Sequence, residues 1–243
     1  VTPNKKANSG SWHENQVLKQ TAHTRGVKLL YETNVGAGLP VINTLNDLII
    51  SGDKVIRIEA VLSGTLNFIF SSFQDGTKFS DIVKQAKEKG FTEPDPRDDL
   101  NGMDVARKAL ILSREAGYSF ELPEVAVENL VPAALRQENS ISQFMDALSR
   151  YDNEFEALRK AAAAENKKLR YMAVVENGKA KVGLASVGAD HPFYTLSGSD
   201  NIILLTTERY HERPMVIRGP GAGATVTAAG VFADIIRIGG YSN

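Results

Sequence analysis

Apolar and polar positions along the chain divide it into alternating helices and strands. Trp12 to Thr24 reads as a helix and Val27 to Tyr31 as a strand, and the glycine-rich VGAGLP turn, Val35 to Pro40, leads into a helix running to about Ile50. Val55 to Leu62 alternates as a strand before Ser63-Gly64-Thr65. Ser80 is placed to N-cap DIVKQAKEK with Gly90 as its stop, and Gly102 to Ala116 is a helix ended by Gly117. Helices over Ser142–Ser149 and Asn153–Ala164 follow. Leu169–Val175 and Lys179–Val187 then flank Asn177-Gly178, a strong hairpin signal. Strands near Ile202–Thr207 and Pro214–Ile217 precede GPGAGATVTAAGVFADIIRI, a glycine-rich loop opening an apolar helix. Strands outnumber simple βαβ units, which predicts an α+β fold: a mixed β-sheet with helices packed on one face.

Composition narrows the partners more than the fold. With 28 basic against 29 acidic residues among 243, no global field recruits nucleic acid or an anionic membrane. No apolar run approaches the roughly 18 residues that cross a bilayer, and the opening VTPNKKANSG lacks a signal-peptide core, so a cytoplasmic protein is expected. Cysteine is absent. That excludes disulfides, thiolate nucleophiles and cysteine-bound zinc, and His13, His23, His191 and His211 show no HExxH-type spacing.

The chemistry concentrates in FTEPDPRDDLNGMDVARK, Phe91 to Lys108. Two prolines forbid helix through Asp95 and Pro96, so Glu93, Asp95, Asp98 and Asp99 are expected on a stiff loop forming an acidic mouth before a helix. Asp104 and Lys108 lie four apart on that helix and share a face directed back at the mouth. A lysine beside carboxylates can exchange protons while the carboxylates hold an ammonium group. The alternative is that the acids merely complement a helix dipole and that Asp104 and Lys108 form a surface pair. A calcium loop is disfavoured, because the D-x-[DN]-x-[DN]-G spacing is not met.

TEPDPRDDLNGMDVARK resembles the signature of homoserine dehydrogenases. TPNKKA (Thr2–Ala7), YETNVGAGLPVI (Tyr31–Ile42), SGTLNFI (Ser63–Ile69), HPFYTLSGSDN (His191–Asn201) and GPGAGATVTAAGV (Gly219–Val231) extend the resemblance over almost the whole chain. It implies reversible hydride transfer between NADP or NAD and the homoserine/aspartate semialdehyde pair. Lys108 would be the general acid and Asp104 its orienting neighbour, with Glu93, Asp99 and Asp104 binding substrate and Lys5 a second active-site lysine. Thr2, Asn4, Lys5 and Gly223 would approach the cofactor. Backbone carbonyls of Glu32, Val35, Ala37 and Leu39 would hold a monovalent cation, sodium in the usual case. An ion-free turn is the alternative there, and a dinucleotide cradle at VGAGLP is weak because the G-x-G-x-x-G spacing is missing. His191 matches a family histidine, though a core or loop role fits it equally.

The resemblance also implies a domain plan. Residues 1–34 would be a remnant of a nucleotide-binding domain, 35–218 a catalytic and homodimerising domain, and 219–243 a helix returning to the nucleotide-binding part. The chain would thus be a fragment of a two-domain dehydrogenase, inactive alone, whose arrangement resembles the bifunctional aspartokinase/homoserine dehydrogenases, with single-function fungal enzymes as the alternative. Two rival readings are a diaminopimelate-type amino-acid dehydrogenase, which would need another run in place of EPDPRDD, and a non-catalytic dimerisation module.

Overall fold

The computed structural model describes residues 1–240 and contains one six-stranded mixed sheet. In chain order its elements are α1 (Trp12–Thr24), α2 (Ile42–Ile50), β1 (Val55–Val61), α3 (Gly64–Ser72), α4 (Phe79–Glu88), α5 (Pro96–Leu100), α6 (Met103–Glu115) and β2 (Ala126–Val127). They continue with α7 (Ile141–Leu148), α8 (Asp152–Ala164), β3 (Lys168–Glu176), β4 (Lys179–Val187), β5 (Asp200–Thr207), β6 (Met215–Pro220) and α9 (Ala224–Gly240). The strand order is β2-β4-β3-β1-β5-β6. Among the described residues only the β2–β4 pairing is parallel. β3 and β4 pair from Lys168↔Val187 to Glu176↔Lys179, with Asn177 and Gly178 both left-handed at the turn, as a type I′ hairpin requires.

The main core lies between one sheet face and the helices. Central in it is α6, which buries Val105, Ala106, Ala109, Leu110, Ile111 and Leu112. It starts at Gly102, whose φ of 74° and contact with the Tyr171 hydroxyl leave no room for a side chain. The opposite sheet face carries a smaller cluster that includes Val61, Met172, Ile202 and Leu204, covered by Phe193 and Leu196 of the β4–β5 connection.

Three sequence expectations are corrected, and one helix is added where the sequence carried no expectation. Residues 27–31 form no strand, because a strand needs a ladder and the backbone bonds here, Val27 N–H to the Ala22 carbonyl, Thr2 N–H to the Leu30 carbonyl and Asn34 N–H to the Tyr31 carbonyl, do not make one. A helix, α3, follows Ser63, whose hydroxyl caps Leu66 N–H. Asp95, Pro96, Asp98 and Asp99 are not a plain loop: Pro96 occupies the first turn of α5, where its missing N–H costs nothing, and Asp95 is the N-cap, accepting from Arg97 N–H at 3.0 Å. Ser80 lies inside α4, its N–H and hydroxyl donating to the Asp152 carboxylate, while Lys78 takes the cap position.

Candidate active site

Between the start of α6, the start of α3, the turn after Tyr31 and the N-terminus of α9 lies a cleft of about 620 Å³. Helical periodicity puts Asp104 and Lys108 one turn apart at its floor, with the Lys108 ammonium 2.7 Å from Asp104 Oδ2. Lys108 also donates to the Leu62 carbonyl at 2.7 Å, so its side chain, 12 % exposed, is held in one direction. From the other side Lys5 reaches Asp104 Oδ1 at 3.1 Å. One carboxylate thus bridges two ammonium groups. Burial pushes the Asp104 carboxyl up, but the Lys108 and Lys5 charges outweigh it and hold it below the ordinary aspartate value.

Glu93 and Asp99 line the same cleft. Glu93 N–H donates to Asp99 Oδ2 at 2.8 Å, folding the TEPD segment over the start of α5. Burial raises the Asp99 carboxyl, and the neighbouring charges of Glu93 and Asp104 add to that rise. Two anchors stiffen this rim: Lys87 of α4 donates to the Pro94 carbonyl at 3.0 Å, and Arg97 to the Glu138 carbonyl at 2.8 Å. Asp95 does not join the acidic group, since its carboxylate pairs with Arg97 at 2.6 Å. Asp98 does line the cleft. The cleft therefore gathers the Lys5 and Lys108 ammonium groups with the carboxylates of Glu93, Asp98, Asp99 and Asp104.

Lys5 and Gly223 face the cleft, whereas Thr2 and Asn4 spend polar groups inside their own loop, Asn4 N–H donating to Thr2 Oγ1 at 3.2 Å. Thr33, Asn34, Ser63, Gly64 and Thr65 also line it. They stand in the ETNVGAG and SGTLNFI motifs, the one signal that could have found them. His191 lies on the other sheet face, 3.4 Å from Glu59 and with Nδ1 accepting Phe193 N–H, outside the cleft.

The turn at 32–39 is built around a buried carboxylate. Glu32 accepts from the N–H groups of Val41, Ile42 and Asn43 at 2.7, 2.7 and 2.9 Å and from the Asn43 amide, so it occupies the N-terminus of α2. Those donors are therefore not free to cradle a phosphate. Gly36 and Ala37 are both left-handed, with φ of 80° and 52°. α9 crosses over this turn where two glycines allow it: a Cβ on Gly38 would strike the Val226 carbonyl, and one on Gly230 would stand 2.5 Å from Thr33 Cγ2. Asp234 of α9, fully buried, accepts Glu32 N–H at 3.0 Å.

Known proteins similar to this chain share one family description. The sequence model of homoserine dehydrogenase matches residues 40–236. The chain is 49 % identical to the chloroplastic bifunctional aspartokinase/homoserine dehydrogenase 1 of Zea mays, over 99 % of its own length and 26 % of that protein's. It is 49 % identical to the homoserine dehydrogenase of Paracoccidioides brasiliensis over 98 % of itself and 67 % of the relative. A hyperthermophilic archaeal homoserine dehydrogenase solved in complex with NADPH superposes with a TM-score of 0.69 at 26 % identity, covering 93 % of this chain and 60 % of that one. The chain spans about a quarter of the bifunctional relative and two thirds of the fungal one. With the EPDPRDD run intact and the matched segment covering most of its length, the chain belongs to the homoserine dehydrogenase family.

Proposed function

We propose that this chain supplies the substrate-binding and proton-transfer groups for the reversible, NAD(P)-dependent interconversion of L-homoserine and L-aspartate 4-semialdehyde. The observation that carries the reading is that the Lys108–Asp104–Lys5 group shares one cleft with Glu93 and Asp99. A substrate bearing an ammonium at one end and a carbonyl at the other matches that set of charges. Glu93 and Asp99 hold the ammonium. Lys108 and Lys5 face the carbonyl oxygen, where negative charge grows as the carbon is reduced.

A nicotinamide bound at this cleft would supply the hydride on reduction and accept it on oxidation. Lys108 protonates the developing alkoxide of the semialdehyde and takes the same proton back from the homoserine hydroxyl. Asp104 fixes the direction of both amines, and the Leu62 carbonyl prevents Lys108 from swinging away. The residues fit a nicotinamide at the α9 end, because Ala222, Gly223 and Ala224 are exposed at the helix N-terminus and a Cβ on Gly223 would meet only Val226 at 3.7 Å. Lys5 and Gly223 are the groups proposed to approach it.

A monovalent cation at the 32–39 turn belongs to the same reading. Two successive left-handed residues curl the backbone, and the neutral carbonyls of Glu32, Val35, Ala37 and Leu39 are suitable hard donors. The Glu32 and Leu39 carbonyls each accept one backbone N–H, from Val35 and Val41, which leaves each a second lone pair. A homodimer and the 1–34, 35–218 and 219–243 division are likewise proposed on the family resemblance. The test of the function is homoserine-dependent NADP reduction followed at 340 nm, with 2-aminobutyrate, which lacks the hydroxyl, as the negative control. Absence of turnover by the chain in its natural polypeptide overturns the reading.

A further inference from the structure

We propose that a directional chain of buried amides, Asn15–Asn8–Asn34, is a positioning device that sets Lys5 against Asp104; the inference rests on the functional reading above. The three side chains are 1, 2 and 1 % exposed. The sense of the chain is dictated at one end by the Thr2 carbonyl, which can only accept. Asn34 turns its Nδ2 to that oxygen at 2.9 Å, so its Oδ1 must face Asn8 Nδ2, at 2.8 Å, and Asn8 Oδ1 then receives Asn15 Nδ2 at 3.3 Å. Each amide is locked by the one before it.

The chain pins the loop on both sides of Lys5. Thr2 is held through Asn34, while Asn8 is held through its backbone carbonyl by Arg114 Nη1 at 2.9 Å. Arg114 lies on α6, six residues beyond Lys108, and is itself 5 % exposed. Ser9 closes the loop, its N–H and hydroxyl donating to the Lys5 carbonyl at 2.8 and 2.9 Å. One rigid helix therefore carries Asp104 and Lys108 at its first turns and, through Arg114, fixes the segment that delivers Lys5. Asn8 does not line the cleft, so it acts through Lys5 and not on the substrate.

The test is Asn8→Asp in the active enzyme, which keeps the side-chain shape but turns an oxygen against Asn34 Oδ1, with Asn8→Ala as a second variant should the first not fold. Misplacement of an active-site group by an ångström costs on the order of a hundredfold, so kcat is expected to fall about ten- to hundredfold with KM for homoserine within about threefold. In a Lys5→Ala background the same change is expected to cost less than about twofold, because the group it positions is gone. Equal losses in both backgrounds, or no loss with Lys5 present, overturn the proposal. A second readout is independent of turnover: acetylation of Lys5 by acetic anhydride, followed by peptide mass spectrometry, is expected to run several-fold faster in Asn8→Asp than in wild type. An unchanged rate overturns the proposal, whereas a faster rate in a protein inactive towards homoserine upholds it while the functional reading fails.

Discussion

Replacing Lys108 separates a catalytic lysine from a structural one, because the two roles differ in size. Lys108→Ala removes the donor to the Leu62 carbonyl, whose residue is fully buried, and one arm of the Asp104 bridge. Leaving a buried acceptor unpaired costs about 1–3 kcal/mol. The lost ion pair adds less than about 1 kcal/mol, since Asp104 is 47 % exposed and keeps Lys5. The sum is within the roughly 5–15 kcal/mol of a folded domain, so the variant is expected to fold. Loss of a general acid costs about a hundred- to ten-thousandfold in rate, roughly 3–5 kcal/mol of barrier. Lys108→Arg sharpens the comparison: it keeps the cation, yet a guanidinium does not release its proton near neutrality. Both variants are expected to lose at least a hundredfold in kcat by the 340 nm assay while melting within about 10 °C of wild type. Turnover above about a tenth of wild type in both would refute the general-acid assignment and return the pair to a structural role.

Glu93→Gln is expected to raise the homoserine KM about tenfold or more with a smaller change in kcat, since it removes an anchor for the substrate ammonium; steady-state kinetics with varied homoserine checks this. Gly230→Ala places a methyl 2.5 Å from Thr33 Cγ2 and 3.1 Å from Gly38 Cα, whereas at Gly239 nothing lies within 4 Å; the first is expected to destabilise by about 1–3 kcal/mol in urea titrations and the second by none. For pH, the Asp104 carboxyl is lowered in the fold, so the unfolded chain binds its proton more readily and stability rises with pH through this group. Its contribution is fully present above the ordinary aspartate value of 3.8 and is lost as pH falls below it. Asp104→Asn should therefore flatten the acid limb of melting temperature as pH falls below the ordinary aspartate value of 3.8, and an unchanged limb would contradict the two-lysine bridge.

Local pattern was enough to read much of this protein. The helix at Trp12–Thr24, the Asn177-Gly178 hairpin and the α6 pair Asp104 and Lys108 each follow from short-range rules: a periodicity of 3.6, a turn needing positive φ, and a four-residue spacing. The chemical character of the EPDPRDD run was equally legible, since carboxylates crowded before a lysine-bearing helix demand a partner.

What sequence could not decide is which distant groups meet. Residues 27–31 have strand-like composition but lack a ladder, and only tertiary pairing determines that. Asp95 looks like its acidic neighbours yet is claimed by Arg97, while Asp98 and Asp99 turn to the cleft. Glu32, within a glycine-rich turn, is assigned by the fold to the N-terminus of α2, which closes that helix end to phosphate. Lys5 reaches Asp104 across 99 residues because Arg114, buried on α6, holds the loop that carries it. Hydrogen-bond partners far apart in sequence leave no periodic trace, so the composition of the site was written locally and its geometry only by the packing of α6 against the N-terminal segment.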